Sequence, residues 1–166
     1  MAARKLDEKS HGEVKLAPAE IRELVQGIHP TVLSDRELDA TIFALAGRCP
    51  VPVEVDLVCH RRPPEAAETA AYFVVAEALA NVAKHSGASE AHAAVWREPE
   101  DRLVVEVPDG GKGGVGSESG INFTGLADRL TALDGRLFLE SPGGGSTCIR
   151  AGLPLDTPDR TLHGTP

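Results

Sequence analysis

A chain of 166 residues, 42% apolar and only 4% aromatic, is long enough for one buried core packed mainly by alanine and small aliphatics. Its formal net charge of -8 argues against a general binder of nucleic acid or anionic membrane. Cys49, Cys59 and Cys148 are odd in number and lack C-x-x-C spacing, so neither a disulfide framework nor a zinc site is indicated, and with no signal-peptide pattern or run of about 18 apolar residues a soluble cytoplasmic protein is expected.

Residues 1–17 are polar and read as disordered or as the remnant of a longer helix. Pro18 suits a first helical position, and Ile21, Leu24, Val25 and Ile28 continue at helical spacing until His29-Pro30 stops them. Ser34-Asp35-Arg36-Glu37 reads as a capping box before a helix whose stripe is Leu38, Ile42 and Leu45, ending near Gly47. Val51, Val53, Val55 and Leu57 alternate with Pro52, Glu54, Asp56 and Val58, a half-buried strand placed at an edge by its proline. Arg61-Arg62-Pro63-Pro64 is a loop with solvated arginines. A long helix is expected over Glu65–His85, closed by Gly87 as C-cap.

Glu90–Arg97 and Arg102–Val107 read as strands, with His92 an ordinary strand residue and Trp96 a packing or strand-edge residue. Gly110 to Gly120 holds six glycines among eleven residues and should be mobile. Phe123, Leu126, Leu130 and Leu133 mark a further helix. Gly135–Glu140 and Ser146–Leu153 then form a hairpin around Pro142-Gly143-Gly144-Gly145, and residues 156–166 are a tail. The main domain therefore spans 18–155.

The chemistry concentrates near the end of the long helix. Ala71, Val74, Val75, Ala78, Leu79 and Val82 form its apolar face, interrupted by Glu77, Asn81, Lys84 and His85. Glu77 and Asn81, four apart, point the same way, and Lys84 is three further on. An acid, a neutral oxygen donor and a cation side by side suit a magnesium-phosphate ligand. Asn81 would bind the hard cation, Lys84 would meet phosphate as a point charge, and Glu77 would hold or deprotonate a water or hydroxyl. The same residues also suit a solvent-facing helix edge, and the helix alone leaves both readings open. Asp109, after an apolar strand and before glycines, reads by itself first as a turn residue and second as a fixed carboxylate ligand, an order that the polar residues of the long helix upstream reverse.

Taken together, Glu77–His85, Pro108–Gly116, Gly120–Leu130 and Ser141–Thr147 resemble the N, G1 and G2 boxes and terminal Gly-rich turn of the GHKL (histidine kinase-like) ATP-binding domain. The resemblance runs from about Gly27 to Leu155 and points to sensor histidine kinases that work with LuxR/NarL-type response regulators. It implies an α/β (α+β) two-layer sandwich of the Bergerat type, with a mixed, mostly antiparallel sheet and helices on one face. It also implies ATP and Mg²⁺ as cofactors. Asp109 would accept the adenine exocyclic amine, with Gly111 and Gly113 letting the backbone pass close to base and ribose. Asn81 would take magnesium, Lys84 or His85 would face the phosphates, and Glu77 and Lys84 would join Asn81 as catalytic residues. Gly120, Thr124, Gly125 and Leu126 would bind phosphate at a helix start, and Thr147 would support the adenine pocket. The sequence departs from the pattern at Asn122, where glycine belongs, and at Phe123, where leucine belongs.

Gly27-Ile28-His29-Pro30-Thr31-Val32-Leu33 resembles the connector that follows the dimerisation helices of these kinases. His29 does not read as a phosphoacceptor, because it sits at a proline-stopped helix end without the following acid of an H-box. The function expected from the resemblance is therefore transfer of the ATP γ-phosphate to a histidine on a separate dimerisation domain or protein. A LuxR/NarL-type response regulator would act indirectly downstream, with no nucleic-acid or membrane contact by this chain. The alternatives are an anti-sigma-factor-like GHKL serine kinase or binding module, and a degenerate nucleotide sensor. A gyrase-type ATPase ranks last, since the chain lacks a transducer domain.

Overall fold

The computed structural model describes residues 37–115 and 123–156. The expected polar segment, the helix from Pro18, His29, the connector, Gly120, Asn122 and the tail beyond Asp156 lie outside the described residues. The first described helix, α1 (Leu38–Arg48), buries Leu38, Thr41, Ile42 and Leu45, as its periodicity requires. It does not begin with the expected capping box. Glu37 is extended (φ -70°, ψ 158°) and makes no side-chain cap bond, so it precedes the first turn instead of closing it. Asp39 places the acid in that first turn, where it opposes the positive end of the helix.

Strand β1 (Val53–Val58) alternates half-buried and exposed residues at a sheet edge, as Pro52 implied. It starts two residues later than the apolar alternation, and the Pro52 carbonyl accepts the Ala91 N–H at 3.0 Å. Helix α2 (Glu65–Asn81) is the central beam, buried on nearly every side from Ala67 to Asn81. Its last turn does not continue as α-helix to His85. Val82–Ser86 widen into a π-helical turn, and Gly87 ends it with left-handed backbone (φ 62°). Ser86 Oγ locks that exit, donating to the Val82 carbonyl at 3.0 Å and accepting from Ala88 N–H at 3.0 Å.

The remaining elements are β2 (Ala91–Glu98), β3 (Arg102–Asp109), α3 (Thr124–Ala132), β4 (Arg136–Glu140) and β5 (Thr147–Pro154). They build one five-stranded sheet in the order β1-β2-β3-β5-β4. Only β1 and β2 run parallel; the other neighbours are antiparallel. Ala91, Ala93 and Val95, then Leu103, Val105 and Val107, then Ile149, Ala151 and Leu153 alternate inward and join the helices in one core. The opposite face carries Trp96, Glu106, Arg150 and Phe138. Arg150 lies 5.6 Å from the Trp96 ring centroid and reaches Glu98 at 3.4 Å. The architecture is the expected two-layer arrangement: a mixed, mostly antiparallel open sheet with helices.

Candidate nucleotide site

The site lies at one end of the sheet, on its helix side. Ala91, Asp109 and Thr147 stand opposite one another across β2, β3 and β5. Asp109 and Thr147 are buried polar residues, 5% and 1% exposed. Asp109 Oδ1 accepts the Gly111 N–H at 2.8 Å, which holds the carboxylate at the turn and leaves Oδ2 for a further donor. Thr147 Oγ1 lies 2.7 Å from Ser141 Oγ, so Ser141 extends the same polar row past the end of β4.

Asn81 ends α2 at 3% exposure, and neither its amide oxygen nor its amide nitrogen has a hydrogen-bond partner among the described residues. A buried amide left in that state costs about 1–3 kcal/mol, and buried polar groups without partners are uncommon enough to require a reason. A ligand is the physical reason that fits. The amide oxygen is a hard donor suited to Mg²⁺, which takes few protein ligands and keeps water and phosphate oxygens for the rest. No group of three or more His, Cys, Asp or Glu able to hold a metal occurs among the described residues.

Three separate chain segments are stitched together at the turn after Asp109. The Lys112 N–H donates to the Ser86 carbonyl at 2.8 Å, tying the glycine turn to the end of the N-box helix. The Gly114 N–H donates to the Ser141 carbonyl at 3.1 Å, and the Gly144 N–H donates to the Lys112 carbonyl at 2.8 Å. The Val115 N–H donates to Ser141 Oγ at 2.9 Å. The two box glycines are therefore required by protein contacts. A Cβ on Gly111 would stand 2.7 Å from Ser86 Cβ, and one on Gly113 (φ +61°) 2.5 Å from the Gly145 carbonyl oxygen.

The other expected residues are dispersed. Lys84 and His85 are exposed on the π-turn while Asn81 is buried, so the single polar edge expected from α-helical spacing does not form. The wider turn advances each residue by a smaller angle and breaks the alignment. Glu77 is half-buried and already has an interaction partner. Thr124 and Gly125 open α3, as expected for a phosphate-facing helix start. The Leu126 side chain is fully buried in the core, so its backbone is what it offers at the start of α3. Arg129 ties α3 to α2 by lying 4.8 Å from the Phe73 ring centroid, and its burial lowers the guanidinium pKa from its ordinary value.

Sequence reasoning missed Ser86 and Ser141. Ser141 stood in plain view as the first residue of the Ser-Pro-Gly-Gly-Gly-Ser-Thr turn, but nothing in the spacing revealed that its hydroxyl spans two segments. It also missed the partner of Arg62, which is not simply solvated: its guanidinium holds the buried Glu68 carboxylate through Nε at 3.0 Å and a terminal nitrogen at 3.0 Å.

An open, mixed five-stranded sheet layered with helices is the architecture of the histidine kinase-type (GHKL) fold. The chain is 32% identical over 139 residues to the sensor histidine kinase MctS of Rhizobium johnstonii, covering 77% of this chain and 30% of MctS. It is 28% identical over 152 residues to the signal transduction histidine-protein kinase/phosphatase DegS of Brevibacillus brevis, covering 87% of this chain and 39% of DegS. The fold matches the histidine kinase domain of a blue-light activated histidine kinase from Erythrobacter litoralis, with a TM-score of 0.56 at 20% identity over 70% of this chain and 60% of that one. No protein-family profile matches the chain. Its homologues are sensor histidine kinases, and its fold is that of the histidine kinase catalytic domain. The chain spans 30% and 39% of the length of these two curated relatives. Among the described residues no helix is long and apolar enough to cross a membrane.

Proposed function

We propose that this chain is the ATP-binding catalytic domain of a two-component sensor histidine kinase, acting in the cytoplasm. It binds Mg-ATP and presents the γ-phosphate to a histidine on a separate dimerisation domain or protein. The observation that carries this reading is the buried Asn81 amide at the end of α2, without a hydrogen-bond partner among the described residues.

Asp109 Oδ2 accepts the adenine exocyclic amine, and Thr147 supports the base beside it. Asn81 would hold the cation, and Mg²⁺, when bound, would supply charge neutralisation for the phosphates. Lys84 and His85, exposed on the π-turn, meet the phosphate end, and the α3 start at Thr124 and Gly125 offers backbone N–H groups to the same anion. Glu77 orients a water or the incoming nucleophile at the helix edge. The chain's own work is positioning and electrostatic stabilisation. A LuxR/NarL-type response regulator then receives the phosphoryl group from the acceptor histidine.

The test is calorimetric titration with ATP, with and without Mg²⁺, on the native chain and on Asp109→Ala and Asn81→Ala. Binding lost in Asp109→Ala, and insensitive to magnesium in Asn81→Ala, supports the reading. A folded native chain that ignores ATP overturns it.

A further inference from the structure

We infer that Ser141 is a positioning residue for the nucleotide base, acting through Thr147. This inference rests on the nucleotide reading of the site. Thr147 is 1% exposed and stands opposite Asp109 across β3 and β5. The hydrogen-bond partner its hydroxyl has is Ser141 Oγ, at 2.7 Å. Ser141 Oγ in turn accepts the Val115 N–H at 2.9 Å. One hydroxyl thus joins the buried side chain beside Asp109 to the turn that follows Asp109.

A serine oxygen accepts twice and donates once, so it serves both links without leaving either unpaired. Ser141 takes two turn amides in different ways. Gly114 N–H goes to its backbone carbonyl at 3.1 Å, and Val115 N–H goes to its side chain. Replacing Ser141 with alanine keeps the first bond and removes only the hydroxyl. The two turns stay joined, while Thr147 loses the contact that sets its side-chain direction and Val115 loses its acceptor. The consequence falls on the pocket, where an unheld threonine hydroxyl samples other rotamers.

The experiment is a double-mutant cycle on ATP binding, using Ser141→Ala, Thr147→Val and the double variant, with Ser141→Thr as the conservative variant. Ser141→Ala is expected to weaken ATP and ADP alike by about tenfold, the equivalent of one lost hydrogen bond. The weakening should be the same with and without Mg²⁺, because it acts at the base end and not at Asn81. Ser141→Thr, which retains the hydroxyl, should restore affinity. In the Thr147→Val background the Ser141→Ala substitution should have no further effect. Native affinity in Ser141→Ala, or losses that multiply in the double variant, overturns the inference while leaving the nucleotide site standing. A native chain that does not bind ATP overturns the site itself and this inference with it.

Discussion

Ser86 and Lys112 are joined by a backbone hydrogen bond of 2.8 Å, carbonyl to N–H, which fastens the exit of the N-box helix to the turn after Asp109. Because Gly111 lies against the same carbonyl and against Ser86 Cβ, the space for a side chain there is already taken. Gly111→Ala is expected to cost about 1–3 kcal/mol, as overpacking does. It should also open the Ser86–Lys112 bond and weaken ATP binding. Urea denaturation and calorimetry on the variant measure the two effects.

The buried Asn81 amide has no hydrogen-bond partner among the described residues. Asn81→Leu, apolar and similarly branched though larger, is expected to raise stability by about 1 kcal/mol by removing a buried unpaired amide, while magnesium-dependent ATP binding disappears. A stability gain accompanied by that loss marks a residue kept for binding; a destabilised variant would mean that the amide has partners in solution.

Mg-ATP itself should raise the melting temperature of the native chain. A ligand at about 100 times its Kd contributes about 2.7 kcal/mol. The shift should vanish in Asp109→Ala and depend on Mg²⁺ in the native chain only. Differential scanning fluorimetry across an ATP series provides the readout.

Arg62 and Glu68 bridge the Pro63-Pro64 loop to the first turn of α2, with Glu68 almost fully buried and Arg62 half exposed. Arg62→Ala is expected to lower the melting temperature by leaving that carboxylate without its fork of donors. Adding Glu68→Gln to Arg62→Ala should recover part of the loss, since a neutral amide is cheaper to bury than a charge. Equal melting temperatures for the native chain and Arg62→Ala would contradict the pair's structural role.

Burial pushes the Cys59 and Cys148 thiols up from their ordinary value near 9.0. For Cys59 the nearby Arg97 opposes part of that rise; for Cys148 the charges of Glu106 and Glu140 add to it. A thiol whose folded pKa is raised stabilises the fold fully below the unfolded value, and that contribution is lost as pH rises through the folded value. Stability should therefore fall on the alkaline side of about pH 9. Replacing both cysteines with alanine should flatten the decline, as read from denaturation midpoints between neutral and alkaline pH. An unchanged slope would contradict the assignment.

Much of this was readable along the chain because local pattern and tertiary fate agree. The alternation from Val53 to Val58, the stripe Leu38-Ile42-Leu45, the left-handed Gly87 and the hairpin strands at Arg136 and Thr147 each follow from spacing or backbone preference. Asp109 and Thr147 were named as pocket residues, and the structure pairs them directly across two strands. The misreadings share a different cause. The Ser34–Glu37 signature is a local motif, and Glu37 adopts extended backbone instead. The polar edge through Lys84 assumed a uniform helical advance, which the π-turn breaks without any proline or glycine within Val82–Ser86 to announce it. Ser141 and the Arg62–Glu68 pair depend on three-dimensional closure that no periodicity encodes.

The parallel pairing of β1 with β2 has a kinetic consequence. Every residue of α2 lies between the two strands, so their ladder closes only after a long loop has been ordered, whereas β2–β3 and β4–β5 zip from short connections. Edge strand β1 should thus join late during folding and be released early during native-state opening. In hydrogen exchange, amides of Val53–Val58 would trade protons through a smaller opening than those of β3, which is paired on both sides. The end of the sheet that carries Asp109 and Thr147, built on β3 and β5, is thereby insulated from fraying at the far edge.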